Sequence, residues 1–335
     1  MSMDKILSAW KNKDFKPVYW FQGEEDYYID RLLQFAERNI LSEAEAEFNL
    51  SIFYGKDAQW QDIINSCRRY PMFSERQVVL LKEAQEMDVR KLEQLTPYFL
   101  HPLNSTVFIV GYKDKGLDKR TKFAKVIAEK AEMFTFSKIK DNKVQEWIVA
   151  RAKEKKIEIT PKAICLLEEH IGNDLSRLDN ELGKLIINIK QGKAIDEDDI
   201  EKYIGISKEY NVFALQEAIS NKQLAKAMAI LNYFESNPKL VPIQMALPAL
   251  YAHFGKVYGA FGLKDQTAST LMPEFYYNPL SVQQAQQTIM NYGFEGVSKI
   301  ILLLNKYNLR SIGIDDAGTS SAALLKELVT KIILT

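Results

Sequence analysis

Short apolar runs alternate with helix-like segments over the first 140 residues, and this alternation limits the fold more than any other feature. The runs have the length of strands, and the segments between them repeat apolar residues at helical spacing. Strands that alternate with helices predict a largely parallel sheet with helices on both faces. The predicted strands are 18–21, 50–54, 77–81, 107–110 and 133–136, and the predicted helices are 27–39, 59–69, 89–99 and 119–130.

The pattern of apolar residues changes near Lys140. From Asn142 onward the strand-like runs stop and helical periodicity continues to the end of the sequence. A break at residues 203–211, "YIGISKEYN", separates a short helical segment from a longer one that prolines punctuate. We therefore predict an α/β domain at residues 1–140, a small helical domain at 141–208 and a larger helical domain at 209–335.

The turn after the first predicted strand is where a P-loop ATPase binds phosphate. In "VYWFQGEEDYYIDRLL", residues 18–33, an apolar run reaches a glycine and a helical pattern follows. A P-loop requires a lysine and a Ser or Thr here, but this sequence has the acidic residues Glu24–Asp26. Carboxylates in the first turn satisfy the helix dipole and repel a polyphosphate. The turn therefore predicts no nucleotide site.

Two other segments fall short of a nucleotide site as well. Residues Gly111–Asp118, "GYKDKGLD", reproduce the two P-loop glycines, but Leu and Asp stand where Lys and Ser/Thr are needed. The strand at 77–81 is followed by Lys82 and Glu83, whereas an ATPase places a magnesium-binding aspartate there. An ATPase activity is thus disfavoured at three positions.

Metal and nucleophile chemistry has little support in the sequence. Cys67 and Cys165 continue apolar helical patterns, and the three histidines are scattered, so we expect core cysteines, no disulfide framework and no zinc site. The acidic run Asp196–Asp199 precedes a helical pattern and is better explained by helix capping than by metal binding. No local motif indicates a catalytic triad, although such sets can assemble from distant positions.

Charge is balanced overall but uneven along the chain. The 44 basic and 44 acidic residues cancel, which argues against a purely electrostatic nucleic-acid binder. Residues 113–156 contain 14 Lys/Arg and 7 Asp/Glu, a local excess of 7 positive charges. This basic region is either a solvated face or a surface for DNA. Neither a signal peptide nor a membrane span is indicated, so we expect a cytoplasmic protein.

The second predicted domain carries the most specific string. It contains the segment "EWIVARAKEKKIEITPKAICLLEEHIGNDLSRLDNELGKL", followed by "AIDEDDIEKYIG". This segment resembles the second domain of the delta subunit of bacterial DNA polymerase III, a clamp-loader subunit. "SERQVVLLKEA" and "TVFIVGYKDKGLDKRTKFAKVI" resemble the family's central strands and the following helix. "NVFALQEAISNKQLAKAMAILNYF" resembles the start of its third domain. The segment "KYNLRSIGID" departs from the family pattern at Asn308 and Arg310.

The resemblance implies an AAA+-like (P-loop-NTPase-like) α/β domain without a nucleotide site, followed by two all-α domains. It implies a non-catalytic subunit of a DNA polymerase holoenzyme that needs no cofactor and works in DNA replication. The implied partners are the sliding clamp, the ATPase motor subunits, a delta-prime-like subunit and DNA within the complex, and no membrane. The domain at 141–208 then corresponds to the family's lid, and the domain at 209–335 to its collar, through which subunits assemble.

A short connection in the first domain concentrates large apolar side chains. In "RRYPMFSERQ", residues 68–77, Pro71 ends a helical pattern, and Tyr70, Met72 and Phe73 precede a strand. From the residues alone, these side chains either pack under their own domain or face a partner. The resemblance implies a hydrophobic wedge that enters a pocket on the sliding clamp. Met72 and Phe73 would form its tip, and Tyr70 and Pro71 its base.

Two other functions compete with this hypothesis. One is an active AAA+ ATPase, which the missing P-loop lysine disfavours. The other is a stand-alone DNA-binding protein that uses the basic region, whose affinity would fall steeply with salt.

Overall fold

The computed structural model describes residues 3–189, 192–205, 207, 209–238, 242–276, 278–316 and 318–335. Two compact units make up the structure, Met1–Lys140 and Asp141–Thr335. Among the described residues, no helix combines the length and the apolar character that a membrane crossing requires.

The first unit is built on a five-stranded sheet. Its strands run in the spatial order β2-β3-β4-β1-β5, and all four neighbouring pairs are parallel. Parallel neighbours require crossover connections, which the helices between the strands supply. The bounds are β1 Val18–Gly23, β2 Leu50–Tyr54, β3 Gln77–Lys82, β4 Thr106–Tyr112 and β5 Glu132–Phe136. The five predicted strands and the parallel arrangement are confirmed.

Helices cover both faces of this sheet, because alternate strand residues point to opposite sides. Tyr19 and Phe21 of β1 pack with the first two helices, whereas Trp20 packs in a second cluster with the helices that follow β2. Both clusters consist of buried apolar side chains, as expected for a sheet buried on both faces. The helices are α1 Met3–Lys11, α2 Asp26–Asn39, α3 Glu43–Asn49, α4 Trp60–Arg68, α5 Val89–Glu93, α6 Thr96–Leu100 and α7 Lys122–Lys130.

Several helices of this unit differ from the prediction. The helix predicted at 89–99 is two short helices, α5 and α6, because Pro97 cannot donate a backbone hydrogen bond and instead stands in the first turn of α6. Helix α7 begins at Lys122 and not at Lys119, since Thr121 caps it by accepting from the Ala124 N–H at 3.1 Å. Helices α1 and α3 were not predicted.

The second unit is helical. Its one β-bridge among the described residues joins Ile159 to Ile195. A large apolar core lies among the helices that follow Asn211, and Gly293, with φ of 60° and ψ of −177°, interrupts the long helix α16. The helices are α8 Val144–Glu154, α9 Pro161–Ile171, α10 Leu175–Asn188, α11 Glu197–Ile204, α12 Val212–Ser220, α13 Leu224–Ser236, α14 Ile243–Ala260, α15 Ala268–Leu271, α16 Pro279–Ser311 and α17 Ser321–Ile333. A division of this unit at residue 208 stays a prediction.

The capping prediction at the acidic run is confirmed. Asp196 accepts from the Asp199 N–H at 3.0 Å, and the Asp199 carboxylate accepts from the Asp196 N–H at 3.1 Å, which is a reciprocal capping box. Helix α10 is capped by Asp174, whose carboxylate accepts from the Arg177 N–H at 2.9 Å. Cys67 and Cys165 are buried core residues, as predicted, and burial raises the pKa of both thiols.

Candidate functional site

The turn after β1 is filled by the protein's own groups. Gly23 has φ of 129°, and a Cβ atom there would lie 2.0 Å from the Phe136 carbonyl oxygen. That same oxygen accepts from the Glu25 N–H at 3.2 Å. The Glu25 side chain is buried, accepts from the Ile139 N–H at 3.1 Å and lies 3.7 Å from the Lys138 ammonium. A buried carboxylate and the chain after β5 therefore occupy the region where a phosphate would lie in an ATPase.

Charged residues at the neighbouring strand ends pair with each other. The Lys113 ammonium follows β4 and lies 2.7 Å from the Asp30 carboxylate and 2.5 Å from the Glu83 carboxylate. Burial by itself lowers the pKa of Lys113, but the hydrogen bonds to these two carboxylates outweigh burial and raise it. Burial raises the pKa of the Asp26 carboxyl at the start of α2. The lysine at this edge is thus held by two carboxylates.

The two glycines of the segment Gly111–Asp118 serve packing. Gly111 is a residue of β4, and a Cβ atom there would lie 2.6 Å from the Leu33 Cδ1 atom. Gly116 lies against Gln22, whose Oε1 atom accepts from the Leu117 N–H at 3.0 Å. Because Gly111 lies inside a strand, the two glycines do not form one phosphate-binding loop.

The predicted wedge residues form an exposed connection, Tyr70–Phe73, which we call the apolar loop. The exposed fraction of the residue is 82% for Tyr70, 53% for Met72 and 94% for Phe73, and Pro71 is partly buried. The alternative that they pack under their own domain is therefore wrong. Contiguous exposed apolar groups are typical of surfaces that contact another molecule.

The apolar loop begins where α4 ends. Arg69 is already extended, with φ of −66° and ψ of 153°, one residue earlier than predicted. The buried side chain of Gln77, the first residue of β3, donates to the Ser66 carbonyl at 2.9 Å and to the Arg69 carbonyl at 2.7 Å. These bonds supply partners to carbonyls at the end of α4, where the regular hydrogen bonds of the helix stop. The end of α4 is thereby fixed to the sheet.

Helix α3 contacts the loop from the other side. The buried Asn49 amide donates to the Met72 carbonyl at 2.8 Å, and its oxygen accepts from the Met72 N–H at 2.7 Å. The Ser74 hydroxyl donates to the Glu45 carboxylate at 2.7 Å. Between these two attached residues, Phe73 has φ of 53°, in the left-handed region.

Sequence reasoning missed α3 and its two contact residues. A signal was present, because Ser42 and Glu45 have the spacing of a capping box. In the structure the Glu45 N–H donates to the Ser42 hydroxyl oxygen at 3.4 Å, and the Glu45 carboxylate accepts from the Ser42 N–H at 2.9 Å. Hydrogen bonds from the Ser42 N–H and hydroxyl, and then from Ser74, lower the pKa of Glu45 to about 2.

The basic region contains both paired and exposed cations. In the first unit, Arg120 pairs with Asp118 at 2.8 Å. In the second unit, Arg151 pairs with Asp179 at 2.7 Å. The lysines that are exposed at and before the start of α7 are Lys115, Lys119, Lys122 and Lys125. These four lysines are among the exposed cations that the basic region of the first unit offers to a polyanion.

Within the described ranges, no three His, Cys, Asp or Glu side chains are grouped so as to hold a metal ion. His253 is buried in the second unit, where its Nε2 atom lies 3.1 Å from the Thr288 hydroxyl oxygen. That hydroxyl donates to the Ser220 hydroxyl oxygen at 2.8 Å. The side chains of His253, Thr288 and Ser220 thus form hydrogen bonds with each other inside the helical core.

Comparison with known proteins gives three consistent matches. Residues 19–137 match the model of the family described as DNA polymerase III, delta subunit. DNA polymerase III subunit delta of Bacillus subtilis (strain 168) is 25% identical over 236 residues, which cover 67% of this chain and 68% of that protein. The solved structure of the Bacillus subtilis DNA clamp loader delta protein is 21% identical, covers 100% of both chains and has a TM-score of 0.54. The structural match supports the fold, and the family match covers nearly the whole first unit.

Proposed function

We propose that this chain works as the delta subunit of a clamp loader. Residues 19–137 match the family of DNA polymerase III delta subunits, and the Bacillus subtilis delta subunit is similar to two thirds of the chain. The chain binds the sliding clamp through the apolar loop and holds the ring open at one interface. ATP-driven neighbouring subunits then load the clamp on primed DNA. The observation that carries this proposal is the exposure of Tyr70, Met72 and Phe73.

Physical chemistry favours a protein pocket as the site that receives these side chains. Water contact with exposed apolar side chains is unfavourable, and burying a Met or Phe side chain yields about 1.5 to 3 kcal/mol. Met adapts its shape and Phe is rigid, a combination suited to filling a pocket on a partner.

The chain itself does not hydrolyse ATP in this proposal. Carboxylates lie at the turn after β1, and Lys113 is held by Asp30 and Glu83. The exposed lysines near α7 contact DNA only weakly in the isolated chain and add to binding within the assembled loader. A handful of cations gives a weak, salt-sensitive attraction to a duplex.

The test replaces the tip of the apolar loop. In Met72→Ala/Phe73→Ala, affinity for the sliding clamp of the same organism should fall at least about a hundredfold, since each 1.4 kcal/mol is a factor of about ten. The melting temperature should stay unchanged, because both side chains are exposed. Calorimetric titration and thermal unfolding measure the two quantities.

A matched control is available at the opposite edge of the sheet. Tyr54 ends β2, is 52% exposed, and lies at the carboxyl edge, whereas the apolar loop precedes β3 at the amino edge. Tyr54→Ala should bind the clamp as the parent does. A folded Met72→Ala/Phe73→Ala variant that binds with parental affinity contradicts the proposal.

A further inference from the structure

We infer that α3 is the support that presents the apolar loop, with Asn49 as its main positioning residue and Glu45 as its second. This inference rests on the proposed function, because presentation matters only if a partner binds the loop. It assigns a role in clamp binding to residues that would not themselves touch the clamp.

The two contacts of α3 flank the most exposed side chain of the loop. Asn49 binds both the N–H and the carbonyl of Met72, at 2.7 and 2.8 Å. Glu45 binds the Ser74 hydroxyl at 2.7 Å. Phe73 lies between these attached residues and is 94% exposed. The backbone on each side of Phe73 is therefore fixed, while its ring is left in solvent.

The backbone of Phe73 needs such support. Its φ of 53° lies in the left-handed region, where a bulky side chain crowds its own backbone. Strained backbone conformations persist only when surrounding contacts impose them, and they cluster at functional sites. Without such contacts, an exposed Phe would adopt a negative φ. The bonds of Met72 and Ser74 to α3 are the contacts that keep it there.

The support is itself rigid. Asn49 is 2% exposed, and its amide also donates to the Glu45 carbonyl at 2.9 Å. Glu45 lies one turn earlier on the same face of α3 and takes part in the capping box with Ser42. Each group that holds the loop is thus held by another group of the same helix.

Preorganisation of this kind changes affinity without changing contacts. If the binding conformation is only a fraction of the population, the apparent dissociation constant rises by the inverse of that fraction. Loss of the two Asn49 bonds that hold Met72 would let the loop sample other conformations. We expect Asn49→Ala to bind the sliding clamp about tenfold more weakly than the parent.

A coupling measurement separates positioning from a general structural role. Clamp affinity is measured for the parent, Asn49→Ala, Met72→Ala/Phe73→Ala and the triple variant. If Asn49 acts through the tip, Asn49→Ala should add no further loss once Met72 and Phe73 are alanine. An equal loss in both backgrounds overturns the inference, as does parental affinity in Asn49→Ala.

Asn39 supplies the matched control. It is exposed at the end of α2, and its amide donates to the Phe35 carbonyl at 3.1 Å, the same local bond that Asn49 makes to Glu45. This hydrogen bond lies within α2 and involves no residue of the apolar loop. Asn39→Ala should leave clamp affinity within twofold of the parent.

Amide hydrogen exchange tests the support without the clamp. The Met72 N–H donates to Asn49, so its exchange should accelerate at least about tenfold in Asn49→Ala under conditions in which the variant is folded. Unchanged Met72 exchange overturns the inference. Faster exchange in a protein whose parent does not bind the clamp counts against the proposed function and leaves α3 as a loop support only.

If Asn49→Ala does not fold, Ser74→Ala is the variant that tests whether α3 supports the apolar loop. It removes the bond to Glu45 on the other side of Phe73, and Ser74 is only partly buried. Clamp affinity should then fall about threefold to fivefold, again only while Met72 and Phe73 are present. Parental affinity in a folded Ser74→Ala variant also overturns the inference.

Discussion

Trp20 and Phe73 show how position decides what an aromatic side chain does. Trp20 lies in the central part of the sheet, is fully buried among Phe99, Tyr112 and Phe123, and its indole N–H donates to Gln22 at 3.0 Å. Phe73 follows a helix end and stays exposed. The first side chain stabilises the fold, whereas the second can stabilise only a complex.

His253 is a polar residue that is buried in the helical core in its neutral form. Burial first, and then the charge of Lys256, lower its pKa to about 4. In the unfolded chain the pKa is about 6.5. Folding therefore favours the neutral imidazole. Its contribution to stability is fully present above pH 6.5 and is lost as the pH falls from 6.5 towards 4.

We predict that His253→Gln weakens the acid sensitivity of the second unit. The parent should lose up to roughly 3 kcal/mol of unfolding free energy between pH 7 and pH 4 through this group alone. The glutamine variant is less stable at pH 7, because a fitted hydrogen-bonded side chain is replaced, but it should lose less on acidification. Urea unfolding at pH 7, 6, 5 and 4 measures both proteins. Parallel pH profiles would contradict the assignment of this acid sensitivity to His253.

At the scale of elements, the strands were predictable because each is an apolar run that ends at a polar or glycine-rich segment. Residues of β1 and β4 are buried throughout, and those of β3 are buried as far as Leu81, so their run length alone identifies these strands. Helix α3, "EAEAEFN", was not predictable from periodicity, because it contributes few side chains to the core. Local capping by Ser42 explains why it forms.

Only the exposed residues of the candidate site could be predicted from the sequence. Tyr70, Met72 and Phe73 stand out in the sequence because large apolar residues beside a proline are unusual in a connection. The contact between Asn49 and Met72 spans 23 positions and depends on β2 lying beside β3. Periodicity reports local structure, so no pattern in the sequence could indicate this long-range pair.

Gly23 gives a prediction for the turn after β1. In Gly23→Ala the new Cβ atom would meet the Phe136 carbonyl oxygen at 2.0 Å, and φ of 129° is unfavourable for alanine. The backbone between β1 and β5 must shift, so we expect a loss of at least about 2 kcal/mol in unfolding free energy. Urea unfolding of the full chain measures it.

Gly116→Ala is the matched control for that change. Its Cβ atom would lie 3.1 Å from the Gln22 side-chain amide, which can move, and no positive φ is required. We expect a loss well below that of Gly23→Ala. Equal losses for both variants would contradict the view that Gly23 is required by the backbone of the turn.

At the scale of the whole molecule, the first unit uses the two edges of its sheet differently. The apolar loop and α3 lie at the amino edge, where β2 and β3 begin. The carboxyl edge, where ligands of parallel α/β sheets usually bind, holds Glu25 and the Lys113 pairs. A partner bound to the loop therefore does not compete with groups at the carboxyl edge. The three-domain division and the collar role of residues 209–335 stay predictions.

The carboxyl edge leads to the last prediction, that the chain does not bind ATP with magnesium. A polyphosphate there would face the acidic turn Glu24–Asp26, and it would have to displace Asp30 and Glu83 from Lys113. Both steps oppose binding, because the carboxylates of the turn repel phosphate and the largely buried Lys113 ammonium would lose its two carboxylate partners. An unmodified P-loop presents donors and a lysine instead.

Thermal unfolding with and without ATP and magnesium tests whether the chain binds nucleotide. The ATP concentration is set at about 100 times the weakest dissociation constant that the experiment is meant to detect. A ligand bound only to the folded state at about 100 times its dissociation constant stabilises it by about 2.7 kcal/mol. For a unit of this size that corresponds to a rise of several degrees in melting temperature. At about 1 mM ATP with magnesium, any site of about 10 μM would therefore be visible. We expect no shift beyond that of magnesium alone, and calorimetric titration should show no saturable heat. A shift of several degrees that Lys113→Ala abolishes would establish a working nucleotide site and contradict the prediction.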